Sequence, residues 1–210
     1  RDNIIPKMIS KNQVQILNLF RKDIFLEASI REITKILKKG SYQRVYDAVK
    51  ELKNNDVLNI KKVGHSNLIS ISLTHETISM LAFLEEQEAR TKKIPNYEKI
   101  MSIKEISQYL IIITGSYAKK TYTKSSDLDL VIIVPDNQKA MDIQKLVENL
   151  TLLFIPKLHL YVFNNRDFSE MLLDKKENYG NEIFRNKIIV KNAYIYYELL
   201  KEAIKNGFRG

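Results

Sequence analysis

Two carboxylates, Asp127 and Asp129, alternate with Leu128 and Leu130, and a Gly115-Ser116 pair stands ten residues ahead of them. Residues 128–134 read LDLVIIV, a β-prone run in which side chains two apart share a face. Both aspartates therefore fall on one side, and Leu128 and Leu130 on the other. Like charges so close raise each other's pKa unless a cation lies between them. The chain has no cysteine, which excludes thiolate sites and leaves a hard, oxygen-seeking ion, Mg²⁺ or Mn²⁺, as the natural partner. Gly115 lets a backbone approach an anion closely. Amides at a helix start attract phosphate, with the Ser116 hydroxyl as an extra donor. The spacing gathers a triphosphate and its magnesium at one sheet edge.

Placing these groups takes a strand before Gly115 and another through Asp129. Residues 109–114 (YLIIIT) supply the first, 117–122 a short helix and 128–134 the second. A helix over 137–149, a third strand over 158–163 and a last helix over 193–205 follow. Gly-Ser, ten residues, then Asp-x-Asp is the signature of the minimal nucleotidyltransferases of the DNA polymerase beta superfamily. Gly115-Ser116, residues 117–126 and Asp127-Leu128-Asp129 resemble it fully, and Ala118 and Ser126 agree.

The resemblance runs from about residue 94 to the C-terminus and implies a small αβ domain with a mixed sheet. It implies Asp127 and Asp129 as metal ligands and catalytic residues, and Gly115, Ser116, Lys119, Lys120 and Ser126 as nucleotide-binding positions. Family members usually carry glycine where Lys120 stands; lysine is tolerable there if the helix needs no positive φ. They commonly place a third carboxylate on the third strand, where KLHLYVF (157–163) offers His159. Imidazole is a poor ligand for magnesium, so a two-metal site is not expected, and His159 becomes a candidate general base. A half-buried His159, or a shifted register in which Asp167 supplies the carboxylate, remains open. Asp167 is expected to cap the helix FSEMLL. Tyr161 and Phe163 are expected in the core, and Tyr194, Tyr196 and Tyr197 as a packing stripe or a homodimer contact.

Ahead of this region, Ser10 with Gln13, and Ser29 with Glu32, announce two helices through capping boxes, the second stopped by Gly40. Ser41 opens a third, in which Val45, Val49 and Leu52 turn inward. Two β-prone runs, 57–63 and 68–73, flank a turn at Gly64-His65-Ser66-Asn67. This order resembles a winged helix-turn-helix over about the first 75 residues. The resemblance implies DNA as a partner, with Tyr42, Gln43 and Arg44 near base edges, Lys50 on the same polar side, and Lys61, Lys62 and His65 beside phosphates. Residues 1–78 hold 14 Lys and Arg against 8 Asp and Glu, so the excess of positive charge concentrates there.

The expected organisation is α+β: a winged helix over 1–78, a helical linker over 79–94 ending before Ile94-Pro95, and a nucleotidyltransferase-like domain over 95–210. The whole looks like archaeal fusion proteins of this arrangement. Apolar runs are too short to span a bilayer, so no membrane contact and a cytoplasmic location are expected. Three functions stay open. One is an enzyme moving a nucleoside monophosphate from an NTP such as ATP to an unknown acceptor, which includes a protein target. Another is a DNA-binding transcriptional regulator whose second domain is inactive and senses nucleotide. The last is an antitoxin paired with a small helical toxin.

Overall fold

A computed structural model describes residues 9–38, 41–64 and 66–210. Gly40, expected as a helix stop, and His65, expected on the wing, lie outside the described residues. Two compact units divide the chain, Arg1–Leu81 and Ala82–Gly210.

In the first unit, α1 (Lys11–Lys22), α2 (Ile30–Leu37) and α3 (Tyr42–Asn54) precede strands β1 (Leu58–Val63) and β2 (Ser66–Ile71). Each helix starts behind a serine whose hydroxyl accepts a first-turn amide: Ser10 from Gln13, Ser29 from Glu32, Ser41 from Arg44. Gln13 and Glu32 reciprocate to complete capping boxes, so the orphan amides are satisfied locally. Ile16, Leu17, Phe20, Ile33, Val49 and Leu52 are buried. The order is compatible with a winged helix.

Two details differ from expectation. Val63 pairs with Ser66, which puts Asn67 inside β2 opposite Lys62 instead of in the turn; Gly64 alone among the described turn residues has positive φ, +58°. Ala28, between α1 and α2, exchanges both backbone hydrogen bonds with Ile69, at 3.1 and 2.9 Å, and so shields part of the β2 edge.

After α4 (His75–Thr91), the second unit runs through α5 (Tyr97–Met101), a 3₁₀ turn at Lys104–Ile106, β3 (Leu110–Ile113), α6 (Gly115–Lys119), β4 (Leu128–Val134) and α7 (Ala140–Thr151). It continues with β5 (Leu158–Asn164), α8 (Asn165–Leu173), α9 (Tyr179–Arg185), β6 (Ile188–Lys191) and α10 (Ala193–Lys205). The sheet is mixed, ordered β5-β4-β3-β6, with only β4 and β5 parallel and α7 as their crossover. Leu128, Leu130, Ile132 and Val134 face a core shared with Ile100, Ile106 and Val147. Opposite positions of β4, from Asp129 through Ile133, therefore take the other face.

Tyr196 and Tyr197 of α10 are buried in the core and Tyr194 is half-buried; the Tyr197 hydroxyl donates to Glu85 at 3.0 Å. Asp167 is the third residue of α8 and not its cap. Asn164 caps that helix, and the Asp167 carboxylate accepts the Asn164 amide at 3.3 Å.

One position departs from the expected backbone. The helix before the aspartates begins at Gly115 itself and ends at Lys119, and Lys120 closes it in the left-handed region with φ 60° and ψ 30°. A positive φ is thus required where lysine replaces glycine, a conformation that costs an L side chain about 1–2 kcal/mol. Lys120→Gly is expected to raise the unfolding free energy by about 0.5–1 kcal/mol, part of the relieved strain being offset by greater freedom of the unfolded chain. Denaturant unfolding of the two proteins measures it.

Candidate active site

The site grows from the start of β4. Leu128 and Leu130, both fully buried, anchor the strand, and Asp129 between them projects to the opposite face. Backbone bonds fix its height: the Thr114 amide donates to the Asp129 carbonyl at 3.1 Å, and the Leu128 amide donates to the Lys157 carbonyl at 2.9 Å. Thr114, the residue after β3, therefore lies directly beside Asp129. Gly115 comes next with φ +62°. A Cβ on Gly115 would run into Oδ2 of Asp129 and sit 2.8 Å from its carboxyl carbon. Only a residue without a side chain lets the first turn of α6 lie against this carboxylate.

That turn has no side-chain cap. Thr114 occupies the N-cap position, but its hydroxyl donates to the Asn186 carbonyl at 2.9 Å, drawn away by the segment leading into β6. First-turn amides of a helix have no acceptor within the helix. With no side-chain cap, this turn suits an anion brought from outside.

His159 lies directly across from Asp129 in the parallel β4–β5 register. Its Nδ1 approaches Asp129 Oδ1 at 3.2 Å and the Tyr161 hydroxyl at 3.4 Å. The ring thus turns one nitrogen toward the carboxylate, and the imidazole is largely exposed. Tyr161 and Phe163 continue the same face of β5, half-buried under Tyr179 of α9, whose ring centroid lies 4.6 Å from that of Tyr161. Burial, followed by Tyr161 and the Asp129 carboxylate, pushes the Tyr179 hydroxyl well up and keeps it protonated.

The remaining expected residues separate. Asp127, exposed just before β4, lines a cavity of about 640 Å³ with Lys124, Ser125, Lys157 and the stacked Tyr117 and Tyr122. Lys120 opens into a neighbouring cavity of about 540 Å³. Lys119 is bound to Glu182 of α9 at 2.8 Å, a partner that local sequence does not reveal. Ser126 is engaged in its own turn, where its hydroxyl accepts the Thr123 amide at 2.9 Å. Among the described residues no group of three or more His, Asp or Glu is gathered for a metal, so Asp127, Asp129 and His159 do not make a three-ligand cluster and no other carboxylate completes one. The two that are present give oxygen donors only, which fits Mg²⁺ completed by water and phosphate oxygens.

In the first unit, Tyr42, Gln43, Arg44 and Lys50 are exposed along α3, as are Lys61 and Lys62 on β1. Gln43 donates to Asp47 one turn on at 2.9 Å, so this polar face carries an internal bond. α9 and β6 went unread in the sequence. The signals were short: Asn178, whose side chain accepts the Asn181 amide, caps α9, and Ile188-Ile189-Val190 is a β-branched run of three.

Gly115→Ala is expected to lower the unfolding free energy by at least about 1 kcal/mol through its left-handed backbone, and to push the Asp129 carboxylate off its present position. Unfolding curves check the first effect, and the chemical shifts of Asp129 and His159 check the second.

The family model described as Nucleotidyltransferase domain matches residues 94–205. No curated protein and no solved structure matches the chain. No helix among the described residues is long and apolar enough to cross a membrane. A match over more than half of the chain, laid on the strand, turn and carboxylates just described, means that this chain belongs to the nucleotidyltransferase domain family.

Proposed function

We propose that residues 94–205 transfer a nucleoside monophosphate from an NTP to an acceptor hydroxyl in a Mg²⁺-dependent reaction. The observation that carries this is the approach of the Gly115 backbone to Asp129, which joins an uncapped helix turn to a carboxylate with no room for a side chain between them. Asp127 and Asp129 would hold the divalent ion that travels with the triphosphate and screens its charge. The amides following Gly115, the Ser116 hydroxyl and Lys120 would receive the outer phosphates. The acceptor oxygen displaces pyrophosphate from the α-phosphorus in line. Its proton passes to solvent or to Nε2 of His159, whose Nδ1 faces Asp129. Two carboxylates balance one divalent ion, so the reading is of one protein-held ion and not two.

A second reading, nucleotide sensing without turnover, is favoured because no three-ligand cluster is gathered among the described residues. One assay separates them. The protein incubated with α-labelled ATP, CTP, GTP or UTP, Mg²⁺ and its own lysate is expected to transfer label, with transfer lost on chelation and reduced at least about 100-fold in Asp127→Ala or Asp129→Ala. Tight nucleotide binding with no turnover for any acceptor would leave the sensor.

We also propose that the first unit binds DNA through the exposed side of α3 and the β1–β2 hairpin. Support comes from Arg44, Lys50, Lys61 and Lys62 exposed within the segment of greatest positive charge. Binding to duplex DNA should weaken with salt, and Lys61→Ala with Lys62→Ala should reduce the slope of log K against log salt by about 0.9 for each phosphate no longer neutralised. An affinity indifferent to salt and to Arg44→Ala would remove this role.

A further inference from the structure

The two cavities beside the site share one wall, and nothing in the nucleotide reading uses it. Tyr117 and Tyr122 line both, with ring centroids 4.5 Å apart and planes within 4° of parallel. Tyr117 is 9% exposed and belongs to the core, so it fixes its partner; Tyr122 is 49% exposed and presents aromatic surface to solvent. A tyrosine held flat by a buried neighbour is a rigid platform whose ordering cost has already been met by folding.

Cations stand on both sides of that platform. Lys92, Lys93 and Lys120 line the cavity of about 540 Å³, together with Ile94 and Ile188. Lys124 and Lys157 line the one of about 640 Å³, together with Ile155 and Pro156. Lys92 is shared with Glu88 at 3.0 Å, whereas Lys93, Lys120, Lys124 and Lys157 form no ion pair among the described residues. The carboxylate in this lining is Asp127, at the end nearer the candidate centre.

Positive charge repeated across an aromatic platform, with apolar walls, selects a ligand with repeated negative charge and flat faces. An acidic peptide meets the first demand and leaves the rings unused. A nucleic-acid duplex meets it too, but its bases stay stacked inside the helix. One mononucleotide fills one cavity and leaves the other's lysines without phosphate. A single strand meets every demand, because consecutive phosphates span both cavities while a base stacks on Tyr122.

We propose that the two cavities form one groove that seats a single-stranded nucleic acid, its phosphates against Lys93, Lys124 and Lys157 and a base on Tyr122, with the strand's hydroxyl end at Asp127. That the strand is the acceptor rests on the transferase reading above; that the groove holds it does not.

The experiment is fluorescence anisotropy of the full chain with labelled oligouridine or oligothymidine of about twelve nucleotides, without Mg²⁺ or NTP. Tyr122→Ala is expected to weaken binding about tenfold or more, and Tyr122→Phe to retain it. Lys93→Glu combined with Lys157→Glu, both exposed, should reduce the slope of log K against log salt by about 0.7 for each phosphate no longer neutralised. Asp127→Ala should bind the strand at least as well as the parent while transferring no label, so a failed transfer assay and a failed groove are told apart. The proposal is overturned if Tyr122→Ala and the double lysine variant bind the strand like the parent. Loss of strand binding only when Arg44, Lys61 and Lys62 are replaced by alanine also overturns it. So does a Tyr122→Ala variant that loses affinity for ATP alone and keeps the strand.

Discussion

Everything in the second unit that resembles a site depends on a carboxylate and a backbone being closer than any side chain permits. Asp129 is set by two buried leucines, Leu128 and Leu130, and by the bond from the Thr114 amide to its carbonyl. Gly115 then turns with positive φ immediately against it. These are consequences of strand pairing: β3 and β4 are antiparallel, so the end of one lies beside the start of the other. The ten-residue gap from Ser116 to Asp127 is the length of chain that turns through α6, doubles back and re-enters the sheet in register. A shorter or longer excursion could close too, but it would not return an aspartate to the glycine with its neighbouring leucines still inward.

Where the sequence carried local chemistry it was readable. Ser10, Ser29 and Ser41 cap the three helices they were expected to cap, since each signal lies within four residues of the group it satisfies. β4 and α10 run over their expected ranges because each has an unbroken apolar pattern of its own period. The mixed sheet was an implication of the nucleotidyltransferase resemblance carried by Gly115-Ser116 and Asp127-Leu128-Asp129, and the sheet is mixed. What stayed hidden was pairing at a distance. Ala28 gives no hint that it will bridge Ile69, and Ile188-Ile189-Val190 is too short a run to declare that it joins β3. Asn67 has the composition of a turn residue; the hairpin register claims it for β2, opposite Lys62 and two residues before the buried Ile69.

At the site the same division holds between adjacent lysines. Lys119 and Lys120 are alike in type and context, and spacing treats them as one basic feature. Folding separates them: Lys119 is the last residue of α6 and reaches Glu182, while Lys120 takes the left-handed cap and opens into a cavity. An ion pair between half-exposed partners is a weak bond and exchanges readily. The two cations are therefore not equivalent toward phosphate. Lys120 carries the backbone strain of a position suited to glycine, and its side chain lines a cavity together with Lys92 and Lys93.

His159 bears on the chemistry in the opposite way, by what it replaces. A third carboxylate opposite Asp129 would add negative charge directly beside it. An imidazole at that register position instead satisfies one oxygen of Asp129 by direct contact and adds none. The cluster then tolerates the absence of an ion better than three carboxylates would, and demands less of one when it arrives. Under the proposed reaction this trades electrostatic pull on a second ion for a ring nitrogen on the acceptor side of the site. The strand proposed above would bring phosphates of its own, and the lysines around Tyr117 and Tyr122 would meet those.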